Sequence, residues 1–305
     1  MLRSLVVLLL LLPSVAVAQD TLSILYYNVL NYPGNTPERA DTLRKITDYY
    51  QPDLVLINEL ESEAGADTIL NRTFNPDGGS TWARAPITNG PNTENMLYYR
   101  TDKVGFESWY IVETGGRFIN EYLVYSKEYL PTDTVYLRLY SLHLKASQGW
   151  TNENQRATEA GFLRKRLNSI APGNIIVGGD FNVYTSAELC YDTLLNTGSP
   201  RLFDPIASPG NWHTNSFYAD IHTQSTRSSA LNDGSGGGLD DRFDIILVSG
   251  DVLLGNRSVR YIAGTYQALG QDGTRYNDGM NDLPNGSVPD SIALALYYMS
   301  VTCRW

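Results

Sequence analysis

Five apolar runs in this chain each carry a polar residue inside them or at their end, and that pattern limits the fold more than any other feature. In the clearest of them, Asn174-Ile175-Ile176-Val177 leads into Gly178-Gly179-Asp180-Phe181-Asn182. A β-branched run of this length reads as a buried strand, and the alternation of an extended chain places Asp180 and Asn182 on one face. Paired glycines allow the backbone to pass close to a ligand. The other runs are 22–29, reaching Asn28; 53–58, stopping at Glu59; 135–143, stopping at His143; and 242–248, with Asp244 inside it. A polar group in a buried strand costs free energy unless it is paired, so these positions are expected to converge on a common partner.

Between the runs the periodicity changes from two to that of a helix. Thr36-Pro37-Glu38 reads as a helix start, with Thr36 as cap and Pro37 in the first turn, and the helix is expected to reach about Tyr50, where Pro52 breaks it. Ala160, Leu163, Leu167 and Ile170 recur at steps of three and four, which predicts a helix over 151–170. A short helix is expected over 187–195, followed by a long polar loop. Hairpin-like runs at 96–99, 109–112 and 122–125 supply further strands. Strands lined on the outside by a few helices imply an α/β fold, a two-sheet sandwich flanked by helices.

Bulk properties set the surroundings. Arg3 precedes a leucine-rich core at 5–12, and Ala16-Val17-Ala18 follows, which reads as a signal peptide over 1–18 with Gln19 as the mature start. The reading is an exported protein with no stable membrane anchor and a single domain over 19–305. Cys190 and Cys303 permit one disulfide without requiring it, since Cys190 can equally be buried. With 33 acidic against 23 basic residues the formal net charge is −10, which excludes tight nonspecific binding of nucleic acid through a basic surface. It does not exclude hydrolysis of a phosphodiester, because a bound cation reverses the local potential of an acidic cleft. If the polar ends converge, carboxylates, amides and one imidazole form a hard-oxygen site suited to Mg²⁺ or Mn²⁺, with Ca²⁺ as a further fit.

Tyr27-Asn28-Val29, Leu56-Ile57-Asn58-Glu59, Ser141-Leu142-His143-Leu144-Lys145, Gly179-Asp180-Phe181-Asn182 and Arg242-Phe243-Asp244-Ile245-Ile246 together resemble the endonuclease/exonuclease/phosphatase superfamily, in its order and over nearly the whole chain. The resemblance implies a deoxyribonuclease-like sandwich and a metal-dependent phosphodiesterase, with a phosphodiester, nucleic acid included, as substrate. It implies metal ligation by Glu59, with Asn28 supporting the metal or the phosphate. His143 would bond a non-bridging phosphate oxygen, Asp180 would orient the attacking water or stabilise the leaving group, Asn182 would hold the phosphate, and Asp244 would orient a histidine near the C-terminus. Read singly, the same residues have blander roles: Glu59 as cap of a following helix, Asp244 paired with Arg242, His143 as a core histidine.

Two departures stand out. Where the family closes on Ser-Asp-His and a strand, Ser300 is followed here by Val301-Thr302-Cys303-Arg304-Trp305, which predicts reduced activity or a protein that binds phosphate or metal without turnover. Leu60-Glu61 follows Glu59 where deoxyribonuclease relatives carry an arginine two places on, which leaves lipid and phosphomonoester substrates open. Lys145, Trp150 and Arg156 are expected on a solvated loop and helix face, and His213 and His222 in the long loop are given no catalytic part. Asp272, Asp278 and Asp282 fall in a Gly/Asn-rich loop able to take calcium, though not with EF-hand spacing.

Overall fold

Four strand ends meet at one edge of this molecule because each of its two sheets contains one parallel pair. The computed structural model describes residues 20–128, 133–230 and 236–299. The expected leader, the tail from 300 with Cys303, and part of the glycine-rich loop lie outside those residues. The first sheet is ordered β1 (Ile24–Tyr32), β2 (Leu54–Leu60), β4 (Glu94–Arg100), β3 (Trp82–Arg84), with β1 and β2 parallel. The second runs β5 (Val104–Val112), β6 (Ile119–Ser126), β7 (Tyr136–His143), β8 (Ile175–Asp180), β10 (Asp244–Ser249), β9 (Leu202–Phe203). Here β7 and β8 are the parallel pair, with His143 opposite Asp180. Strand β10 is antiparallel to β8, so its first residue, Asp244, also falls opposite Asp180.

The sheets pack face to face. The Tyr26 ring lies on Gly178, where a Cβ would stand 2.6 Å from the ring. Deeper in the interface Asn58 donates to Asn95 Oδ1 at 2.6 Å and to Ser141 Oγ at 3.1 Å, a buried polar link between the sheets. Outside the first sheet, α1 (Arg39–Tyr50) and α6 (Asp290–Met299) bury Leu43, Ile46, Ile292 and Leu296. Outside the second, α3 (Trp150–Asn168) and α4 (Leu189–Asn196) bury Leu163, Leu167, Cys190 and Leu194 against Tyr140, Val177 and Ile245. Two short helices, α2 (Glu63–Ile69) and α5 (Gly250–Leu254), complete the α-helices among the described residues. The two-sheet α/β sandwich read from the sequence is the fold observed.

Several local expectations are corrected. Helix α1 starts at Arg39, two residues beyond Pro37, and Thr36 serves instead as acceptor for Arg39 Nε at 2.9 Å. Ser62, not Glu59, caps the helix after β2, accepting from Gly65 N. Arg242 forms a bidentate pair with Asp204 at 2.6 and 2.9 Å, not with Asp244. Arg156 is buried in place of lying on a solvated face. The segment from Asp272 to Pro284 converges on a guanidinium: Arg275 donates to the carbonyls of Gly279, Asp282 and Pro284 and pairs with Asp272 at 3.1 Å. Cys190 is buried and free among the described residues.

Candidate active site

Glu59, His143 and Asp180 each offer a ligand atom, and the three atoms lie within 4.8 Å of one another. His143 stands between the carboxylates, with Nδ1 3.8 Å from Glu59 Oε1 and Nε2 3.9 Å from Asp180 Oδ2. The group comes together because β2 belongs to one sheet, β7 and β8 to the other, and all three strands end at the same edge.

Backbone irregularity aims these side chains. The β1–β2 register shifts between Asn28 and Tyr32, and the β2–β4 register shifts between Ile57 and Leu60. Within these bulges Leu30, Asn31 and Glu59 take positive φ, Glu59 at 63°. Left-handed backbone at a non-glycine residue is costly and persists where the surroundings enforce it, most often at functional sites. The enforcement is visible: Arg39 donates to the carbonyls of Val29 and Leu30 in the first bulge and to Met299 at the end of α6. Asn31 N donates to Glu59 Oε2 at 3.1 Å, and Asn28 Nδ2 to Glu59 Oε1 at 2.7 Å.

Asp180 accepts from Asn28 Nδ2 at 3.3 Å, from Gln224 Nε2 at 2.8 Å and from Asn182 N at 3.0 Å. Even so, burial, with the negative charge of Glu59 adding to it, pushes its pKa up to about 6. Burial, reinforced by the nearby Arg117, holds His143 well below the usual histidine range, so it is neutral at physiological pH. Among the described residues, His143 Nδ1 is buried with no hydrogen-bond partner. Two acceptor-only carboxylates around a neutral imidazole with an unused ring nitrogen are a donor set that fits a divalent cation.

Asn182 takes a left-handed φ of 52° and spends one amide hydrogen on Leu144 O at 3.1 Å. Asp244 is buried beside Asp180 on the neighbouring strand, outside the ligand trio, and its N–H donates to Thr223 Oγ1 at 3.1 Å. The segment expected to carry its histidine partner lies outside the described residues. Arg156 braces the rim: it pairs with Glu188 at 2.7 Å and donates to the carbonyls of Lys145 and Ser147, while Glu188 Oε1 accepts from Tyr184 N.

Sequence reasoning missed Gln224 and the pairing of His213 with Asp241, whose ring nitrogen and carboxylate lie 2.8 Å apart next to Asp240. Each becomes visible only when long irregular segments fold back on the sheet edge. Asp241 itself precedes the recognisable Arg242-Phe243-Asp244 run and was the one available signal.

The model of the endonuclease/exonuclease/phosphatase family matches residues 25–274. The chain belongs to this family. Among curated proteins, none matches it in sequence. Solved structures with the same fold include a humanized zebrafish (D. rerio) TDP2, at 16% identity and a TM-score of 0.55, covering 84% of this chain and 94% of that one. A Bacteroides thetaiotaomicron mannosyl-6-phosphatase aligns at 14% identity and TM-score 0.53, over 81% and 87% of the two chains. The human Nocturnin catalytic domain with bound sulfate aligns at 14% identity and TM-score 0.54, over 93% of each. At such identity these structures show that the fold is shared, and no more.

Proposed function

We propose that this chain is an exported, divalent-metal-dependent phosphoesterase that hydrolyses a phosphodiester by in-line attack of water. The observation that carries this reading is the Glu59–His143–Asp180 trio, within 4.8 Å, at the shared edge of the two sheets. The names of fold relatives support it: one is a phosphatase acting on mannosyl-6-phosphate, and a zebrafish TDP2 is seen with a single-stranded DNA product. The chain's net charge of −10 makes an unassisted approach of a phosphodiester unfavourable and favours a cation at the site.

Glu59 and Asp180 would hold Mg²⁺ or Mn²⁺, with Asn28 fixing both carboxylates from one amide. Such an ion, when bound, neutralises charge on the phosphoryl group and lowers the pKa of water. The protein does the rest. Asp180, its Oδ2 held by Asn28 and Gln224, receives a proton from the attacking water as it closes on phosphorus. His143, kept neutral, offers one N–H to a non-bridging oxygen and adds no charge of its own. Asn182 presents its remaining amide hydrogen to the same phosphate, with its orientation set by Leu144 O.

The test is Mg²⁺- and Mn²⁺-dependent hydrolysis of bis(p-nitrophenyl) phosphate and of plasmid DNA, with Glu59→Gln as control. Metal-dependent turnover that Glu59→Gln removes supports the proposal. A folded, metal-loaded chain that binds inorganic phosphate and turns over neither substrate overturns it in favour of a binding role.

A further inference from the structure

His213 is an ionisable side chain, linked through Asp241 and Gln224 to Asp180, that the phosphoesterase reading leaves unused. Its Nδ1 lies 2.8 Å from Asp241 Oδ1, and its side chain is 32% exposed against 11% for the carboxylate. A buried carboxylate therefore orients an imidazole that faces solvent. The Tyr184 ring meets the imidazole edge-on, with centroids 5.1 Å apart, and His213 N donates to Tyr184 O at 3.1 Å. The backbone of Asp241 is tied to Gln224 in both directions, N–H to carbonyl at 3.1 Å each way. Gln224 in turn donates from its side chain to Asp180 Oδ2 at 2.8 Å. One residue thus spans the distance from the His–Asp pair to the water-activating carboxylate.

The other histidines are poorly placed to give up a proton. His143 is buried between Glu59 and Asp180. His222 is buried with both ring nitrogens on backbone carbonyls, Leu239 O at 3.2 Å and Trp212 O at 2.8 Å. His213 has Nδ1 committed to Asp241, the arrangement in which a carboxylate fixes the tautomer and supports an imidazolium.

Building on the phosphoesterase reading, we propose that His213, oriented by Asp241, is the general acid of this site. As the water oxygen bonds to phosphorus, the ester P–O bond breaks with its electron pair on the leaving oxygen, and that oxygen takes the proton from His213 Nε2. The proton lost by the water passes to Asp180, and the neutral imidazole is reprotonated from solvent. Asp241 is a positioning residue, since it acts through the ring it holds.

Leaving-group dependence tests this directly. A p-nitrophenolate leaves without protonation, whereas an alkoxide does not. In the metal-loaded protein, His213→Ala is expected to lower kcat/KM for a phosphodiester with an alkyl leaving group by ~10²–10⁴-fold, the usual contribution of a general acid. The same variant should lose less than about tenfold on bis(p-nitrophenyl) phosphate, which also shows that it folds and binds metal. Asp241→Asn should give the same selective loss, smaller in size. Equal losses on both substrates, or none on either, overturn the role of His213 while leaving the phosphoesterase reading intact. A wild-type chain inert on both substrates overturns that reading and this role with it.

Discussion

The Asn28 carboxamide donates to Glu59 Oε1 at 2.7 Å, joining two carboxyl-edge residues of adjacent parallel strands through a single hydrogen bond. The same amide reaches Asp180 Oδ2 on the opposite sheet at 3.3 Å, and its own Oδ1 accepts from Leu30 N inside the bulge. Asn28 therefore sets the spacing of the two carboxylates proposed as metal ligands. Partners of this kind commonly change metal affinity by 10–100-fold when removed. Asn28→Ala is expected to weaken Mg²⁺ and Mn²⁺ binding within that range, read by titration calorimetry, and to cost about 1–3 kcal/mol of stability through the buried Leu30 N–H left without its acceptor. Unchanged affinity would show that the carboxylates hold their spacing without the amide.

The charge state of Asp180 makes stability depend on pH in a direction that metal should reverse. Its folded pKa is raised from 3.8 to about 6, chiefly by burial. A carboxyl raised in this way favours the fold while protonated, below about pH 4, and that contribution is lost as pH rises through about 6. A tenfold difference in proton affinity between the folded and unfolded chain is worth about 1.4 kcal/mol, so the metal-free protein should weaken by a few kcal/mol over this window from this group. A cation binds the ionised form and offsets the loss. The Tm difference between Mn²⁺-loaded and EDTA-treated protein should be small at pH 5 and grow steadily to pH 7.5. A difference that stays flat across this range would detach Asp180 from the metal.

Gly178 and Gly179 illustrate how a sequence signal can be located correctly and explained wrongly. Two glycines before Asp180 read as room for a ligand, yet the space is filled by protein. A Cβ on Gly178 would stand 2.6 Å from the Tyr26 ring, and one on Gly179 would stand 2.0 Å from Leu142 O at a φ of 133°. Gly178→Ala is expected to cost about 1–3 kcal/mol in urea unfolding, as overpacking usually does. Gly179→Ala meets both backbone and a forbidden φ, and should cost more and abolish the metal-induced Tm shift. Equal and small losses would mean the sheets part easily.

The strand ends were legible because burial and alternation are local properties: Asn28, Glu59, His143 and Asp180 each break an apolar run at a definite position, and parallel pairing brings such ends to one edge. What was hidden depends on contacts distant in sequence. Arg156 looks like a helix-surface residue until Glu188, 32 positions away, buries it. The left-handed Glu59 follows from two bulges that no single strand announces. Helix α6 carries an apolar run of eight residues, from Ile292 to Met299, after a long glycine- and asparagine-rich stretch, and only its packing on α1 distinguishes it from a strand.

Asp204 and Arg242 offer the clearest separation of stability from chemistry. Both are buried, joined by two hydrogen bonds of 2.6 and 2.9 Å, and Tyr191 Oη donates to the same carboxylate at 2.8 Å. The guanidinium also lies over the Trp212 ring, 4.9 Å from its centroid. Removing one member leaves an uncompensated charge in the interior, which typically costs 3–5 kcal/mol. Asp204→Ala should therefore lower stability by about that much in urea unfolding, while Asp204→Leu with Arg242→Met should recover most of the loss, because no buried charge remains. Neither residue belongs to the Glu59–His143–Asp180 trio, and Arg242 is two residues from Asp244. If the double variant regains stability and also regains metal-dependent turnover, the pair serves the fold alone. If stability returns and turnover does not, the Arg242 guanidinium is what holds the segment from Asp240 to Asp244 in register with Asp180.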